Sequence, residues 1–210
     1  MPAPFLTVEE AVALIRPDDA IAVPLGPGVP GSFVHGLAAR DDYTDLTIFG
    51  ALMPDLYEVL LKPQVRYLSG FFGPAERFLR DAGARVEFVP ADFRRFAPVM
   101  EQLAPRVMAT VAAAPDADGW MSLSLHAGAS VDELRRAGAD SDRLLVIEAS
   151  DNFPTTFGLQ PDHRHAIHVD EADVVIPTEV KPFELADPEP SEVDVAIAKY
   201  AALYIPDGAT

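Results

Sequence analysis

Short apolar runs that alternate with helix-like stretches constrain this chain more than any other feature. Ala20–Val23, Leu46–Phe49, Val65–Leu68, Val86–Val89, Val107–Ala113, Leu144–Ile147 and Val174–Ile176 read as buried strands. Most of the segments between them read as helices: Ser32–Arg40, Gly73–Ala82, Phe93–Leu103 and Ser130–Gly138. A first helix starts at the capping box Thr7-Val-Glu-Glu10 and ends at Pro17, and a last one runs from Ser191 to about Leu203. Gly83 suits a helix C-cap, Ser130-Val-Asp-Glu133 reads as a second capping box, and Pro98 is expected to interrupt its helix. A strand joined to the next by a helix can pair with it in parallel, so the pattern predicts an α/β fold: an open, mainly parallel sheet with helices on both faces.

At 210 residues the chain is one large domain or two small ones, and the Pro-rich, acidic stretch Pro182–Pro190 reads as the exit from the domain body. Lys and Arg number 16 against 33 Asp and Glu, a net charge of −17, which repels phosphate backbones and argues against nucleic-acid partners. With no cysteine there is no thiol nucleophile, thiolate metal site or disulfide framework. The N-terminus has no secretory pattern and no run reaches the roughly 20 apolar residues of a membrane span, so a soluble cytoplasmic protein without membrane partners is expected.

The loop Gly26-x-Gly28-x-x-Gly31 matches the dinucleotide fingerprint and sits between a strand and a helix. Pro27 and Pro30, however, remove two backbone donors from it, and the next strand ends in Gly50-Ala51 where a ribose-binding acid would stand. The loop is then a tight βα turn or a substrate-facing loop of another kind. His163, His165 and His168, followed by Asp170, Glu171 and Asp173, do not converge if the segment is extended, so no metal is expected and a solvated, acid-paired strand entry is the better reading. Asp116-Ala-Asp-Gly119 reads as a hairpin-type turn, Trp120 as a core or interface residue, and Ser32, Ser69, Ser122 and Ser124 have no nucleophile-elbow context.

In their order and spacing, several segments resemble the N-terminal domain of the acetyl-CoA hydrolase/transferase family, which includes 4-hydroxybutyrate CoA-transferase. They are Gly26–Gly31 with its helix, Phe71-Phe-Gly-Pro-Ala-Glu-Arg77, Val86-Glu-Phe-Val-Pro90, Val111–Leu123, Pro154-Thr-Thr-Phe-Gly158 and the tail through Ile205-Pro-Asp-Gly208. The resemblance implies that residues 1–210 form a CoA-transferase-like N-terminal domain whose second, catalytic domain is absent from this sequence. It implies CoA as a substrate rather than a covalently bound cofactor, and as further partners an acyl-CoA, a small carboxylic acid and the C-terminal domain, on the same chain or as a separate subunit. Room is left for a homo-oligomer.

In such enzymes a glutamate takes CoA from the acyl-CoA as a glutamyl-CoA thioester. That glutamate belongs to the second half, so no catalytic residue is expected in this chain, and the isolated chain is expected to be inactive. Gly26, Gly28, Gly31 and Ser32 are the leading candidates for holding the carboxylate or acyl group, with Thr155 and Thr156 behind them. Two alternatives are a stand-alone binding or assembly domain of the same fold and a nucleotide-binding oxidoreductase domain.

Overall fold

A computed structural model describes residues 3–126, 129–159, 163–184 and 186–209. Its main sheet has seven strands in the order β4-β3-β2-β1-β5-β7-β9. These are β1 (Ala20–Ala22), β2 (Leu46–Gly50), β3 (Val65–Ser69), β4 (Arg85–Phe88), β5 (Val107–Ala113), β7 (Leu144–Ser150) and β9 (Val174–Pro177). Every pairing between them is parallel, as the alternation of strands and helices predicts. The chain enters at β1, builds outward through β2, β3 and β4, then returns to the other side of β1 with β5. The strand order therefore reverses between β1 and β5, and in open α/β sheets ligands gather at the C-terminal ends of strands flanking such a switch point. A small antiparallel pair, β6 (Trp120–Ser122) with β8 (Ala166–His168), lies outside the main sheet.

Side-chain alternation along the strands divides the core into two layers. Ile21, Ile48, Val107, Ala109, Val146, Val174 and Ile176 point into one, with α1 (Val8–Ala13), α2 (Gly31–Gly36) and Leu79 of α3 (Pro74–Asp81). Ala22, Phe49, Met108, Ala112, Leu145, Ile147 and Val175 point into the other, with Phe96 and Met100 of α4 (Phe93–Leu103) and Leu134 and Ala137 of α5 (Val131–Gly138). Both faces of the sheet are thus covered by helices.

Pro98 does not interrupt α4. It removes one hydrogen bond to the carbonyl of Arg94, a solvent-exposed residue, at a cost of about 3 kcal/mol. Burial of Phe96 and Met100, each worth about 1.5–3 kcal/mol, offsets that cost. Ser130 begins α5 but its side chain caps nothing; Glu133 is instead buried and accepts from Arg136 at 3.0 Å. The last helix, α6 (Glu192–Ala202), is capped by Ser191 and has no buried residue.

The two sheet edges differ. Beside β9, residues 4–6 run parallel to it: Leu6 N–H donates to the Val175 carbonyl at 2.9 Å, and Val175 N–H to that of Pro4 at 3.1 Å. The opposite edge, β4, is short and mostly exposed and carries Arg85 and Glu87.

At the N-terminal ends of β1 and β5, Arg106 grips the buried Asp19 with two parallel bonds of 2.5 Å. Asp19 also accepts from the Arg16 N–H at 2.7 Å. Asp19→Ala is expected to cost about 2 kcal/mol in urea unfolding, less than a fully buried pair because Arg106 keeps access to water. The change lies far from the C-terminal ends of the strands, so ligand binding there should be unaffected.

Candidate functional site

The loop leaving β1 crosses the C-terminal end of the sheet at the switch point. Gly26 adopts a positive φ of 47°, which a side chain would strain, and residues Gly26–Gly28 form a single 3₁₀ turn before α2 starts at Gly31. Most of its donors are already engaged. Gly26 N–H donates to the Ala51 carbonyl, Gly28 N–H to that of Leu25 and Val29 N–H to that of Gly26. Pro27 and Pro30 have none to give.

Ser32 and Phe33 N–H, at the start of α2, donate to the carboxylate of Glu148 at 3.3 and 3.1 Å. The Thr178 hydroxyl donates to the same carboxylate at 3.1 Å. Glu148 is fully buried on β7, and through these hydrogen bonds its carboxyl group ties α2 to β7 and β9. The donors that a pyrophosphate or a free carboxylate would seek at this helix start are therefore occupied by the protein's own acid. This alters the role open to Ser32: its hydroxyl, not its amide, is what a ligand can meet.

Two cavities flank this loop, and Gly26 and Pro27 line both. One, of about 410 Å³, also takes in Gly31, Ser32, His35, Tyr57, Phe153 and Lys181. Burial raises the Tyr57 phenol well above its ordinary range, so the hydroxyl stays neutral. The other, of about 300 Å³, is walled by Leu25, Leu52, Phe93, Phe96, Leu125 and Ala129, with His126 and Ser130 as its polar members. Gly28 lines neither cavity. A Cβ there would stand 2.6 Å from the Pro24 Cβ and 2.7 Å from the His126 Cγ, so Gly28 makes room for the His126 ring.

Thr155 and Thr156 line a third cavity, of about 280 Å³, with Trp120, Ser122, Arg164 and His165. Thr156 is firmly held. Its N–H donates to the Ser122 hydroxyl at 2.9 Å, its hydroxyl donates to the Ser124 carbonyl at 2.9 Å, and His165 Nδ1 lies 2.8 Å from that hydroxyl. His165 Nε2 closes on the His126 carbonyl. The His126 ring in turn lies 3.0 Å from the Thr110 hydroxyl, which is also 3.4 Å from the Gly28 carbonyl. Five of the six candidate residues are thus divided among separate cavities and Gly28 packs against the His126 ring, but one polar chain joins the glycine loop to the threonine loop.

His165 is not part of a solvated strand entry, because it bridges two loops. His168 comes closer to that reading: its Nε2 meets the Asp118 carbonyl at 2.9 Å and its Nδ1 lies 3.4 Å from Asp170. Trp120 is neither core nor bare interface but half-buried, with the Arg164 guanidinium 3.7 Å above its ring. Asp116 turns the chain as expected, its carboxylate accepting from the N–H groups of Asp118 and Trp120. Among the described residues no cluster of three or more His, Asp or Glu could hold a metal, and no helix is long and apolar enough to cross a membrane.

Gly158 closes the threonine loop with no space for a side chain, since a Cβ would lie 1.9 Å from the His163 carbonyl oxygen. Gly158→Ala is expected to force the loop off β6 and strip hydrogen-exchange protection from the Thr156 amide. Unchanged protection would show that the loop adjusts without releasing Ser122.

Sequence reasoning missed His126 and Lys181 entirely, and it gave Glu148 no role. A lone histidine between Leu125 and Ala127 carries no motif. The signal available for Glu148 was its place in an otherwise apolar strand, where an acid requires partners.

No family model matches the chain. It is 25% identical over 95% of its length to the succinyl-CoA:cyclohexane-1-carboxylate CoA transferase of Geobacter metallireducens, and 26% identical over 98% to the 4-hydroxybutyrate coenzyme A transferase of Clostridium kluyveri. The chain is similar to the N-terminal half of CoA-transferases. It spans 44% and 47% of the length of those two relatives. The crystal structure of RipA from Yersinia pestis superposes with a TM-score of 0.81 at 23% identity, over 97% of this chain and 49% of that one. A 4-hydroxybutyrate CoA-transferase from Porphyromonas gingivalis gives 0.66 at 17%, over 97% and 46%. These structures share the open α/β fold with the CoA-transferase-like chain described here.

Proposed function

We propose that this chain is the N-terminal domain of a CoA-transferase or acyl-CoA hydrolase and supplies walls of the site that holds the acyl group and the small carboxylic acid. The observation that carries this is the match over nearly the whole chain to two CoA-transferases, each about twice as long. The cavities around Gly26, Gly31 and Ser32 lie at the strand ends flanking the switch point, where such a wall belongs. Thr155 and Thr156 form a second wall in this reading, and Gly28 acts through the His126 ring that it admits.

The chemistry runs through a glutamate of a second domain. Its carboxylate oxygen attacks the thioester carbonyl, the C–S bond breaks, and CoA leaves as the thiolate with a mixed anhydride formed. The thiolate then attacks the glutamyl carbonyl and releases the first acid as its carboxylate, leaving glutamyl-CoA. Attack by a second carboxylate followed by thiolate return completes transfer, while attack by water completes hydrolysis. Glu148 is unsuited to this role, because its carboxylate is buried and engaged by three donors.

A partner surface also fits the proposal: α6 and the turn after it expose Val193, Ile197, Tyr200, Leu203 and Tyr204. The test is to supply the chain with a second CoA-transferase domain bearing the glutamate, by fusion or co-expression, and assay CoA transfer from acetyl-CoA to short carboxylic acids. The chain alone should be inactive, and the assembled protein should yield a borohydride-reducible glutamyl thioester. Stable assembly without any thioester would favour a binding or assembly domain of the same fold.

A further inference from the structure

Tyr57 is a core residue whose hydroxyl the fold leaves unused. The residue is 1% exposed, and its hydroxyl makes no hydrogen bond among the described residues, yet it is not one of the sealed polar atoms of the core. The other deep tyrosines are satisfied: Tyr43 donates to the Leu37 carbonyl at 3.0 Å, and the Tyr67 hydroxyl lies 3.2 Å from that of Ser69. The Tyr57 hydroxyl faces the 410 Å³ cavity beside Gly31, where no side chain covers it; a Cβ on Gly31 would stand 3.9 Å away. The ring itself is fixed. The His35 ring packs on it with centroids 4.6 Å apart, and His35 Nε2 lies 3.2 Å from Asp55. A phenylalanine would fill the same space, and an unpaired hydroxyl is costly to bury, so a partner from outside the fold accounts for it.

We infer that Tyr57 is a substrate-binding residue whose hydroxyl donates to an oxygen of the acyl group held in this cavity. The inference rests on the CoA-transferase reading for the acyl group, and it assigns the donor. That oxygen is the carbonyl of the thioester in one half of the reaction and a carboxylate oxygen of the free acid in the other, so a single donor serves both forms. Burial keeps the phenol protonated and able to donate. Ser32 adds a second hydroxyl to the cavity, and Lys181 adds an ammonium group suited to the free acid. Val29, Phe153 and Val180 take the hydrocarbon.

The test uses this chain alone and two probes, propionate and S-ethyl thiopropionate, which are the acid and thioester forms of one acyl group. Ligand-observed NMR gives the affinities, and tyrosine labelled with ¹³C at Cζ reports the hydrogen bond. Tyr57→Phe should unfold at the same urea concentration as the parent, because no bond within the fold is lost. It should bind the thioester about fivefold more weakly, the ratio that one net hydrogen bond supplies. For propionate, whose oxygens are charged, the loss should be about tenfold or more. Both probes should move the Cζ resonance that the substitution removes. A loss confined to one probe upholds the inference and names the form that Tyr57 holds. Gly31→Ala sets a methyl group beside the hydroxyl at a helical position that favours alanine, and should weaken both probes without loss of stability. The inference is overturned if Tyr57→Phe binds both probes as the parent does, if that variant unfolds at lower urea, or if the parent binds neither probe. No CoA enters these titrations, so their failure leaves the transfer assay standing, and a failed transfer assay leaves the binding result standing.

Discussion

Replacing Glu148 with alanine should cost about 4 kcal/mol of stability, since two amides at the start of α2 and the Thr178 hydroxyl would lose their shared acceptor inside the core. For a chain of this size that corresponds to a fall in Tm of roughly 8–16 °C. Glu148→Gln should cost less than half as much, because the amide oxygen still accepts from the helix start. The consequence extends past stability. With the clamp gone, the first turn of α2 and the adjoining Gly31–Ser32 wall should lose hydrogen-exchange protection, while β2 and β3 keep theirs. An alanine variant within about 0.5 kcal/mol of the parent, the range of surface substitutions, would mean that water replaces the carboxylate and that α2 needs no clamp.

Acid should destabilise the fold through His126. Burial lowers its pKa from the ordinary 6.5 to about 4, and the nearby His165 acts in the same direction. The unfolded chain therefore binds the proton more tightly than the folded one. The contribution is fully present above pH 6.5 and is lost as pH falls toward 4, reaching about 3 kcal/mol at the bottom of that window. Carboxylates titrate in part of the same range, so the measure is the difference in pH slope between the parent and His126→Asn or His126→Phe, each followed by urea unfolding. Equal slopes would show that water already reaches the ring.

The layered sheet was legible because each strand carries its burial in its own letters. Val107–Ala113 and Leu144–Ile147 are apolar on both faces, as strands of a doubly covered parallel sheet are. Pro98 and Ser130 were misread because their effects are set by packing and not by the local letters: the core under Phe96, and Arg136 and Arg143, which engage Glu133 in place of a cap. The glycine loop was legible as a feature near the site but not in its chemistry. The amides of the helix start that follows it are engaged by Glu148, 116 residues from Ser32, and nothing in the loop itself signals that pairing. His126 lay beyond sequence reading for the same reason, since its burial against Gly28 and Thr110 is a property of the packing around it.

The two borders of the sheet also decide how this molecule can meet another. One is covered by the chain's own residues 4–6, and the other is a four-residue strand whose Arg85 and Glu87 would set charges against any incoming β-strand. Growth of the sheet by strand addition, the route to runaway self-association, is blocked at both sides. Recognition is thereby directed to the rim formed by the strand ends and to the helices, which favours a docked folded body over an inserted peptide.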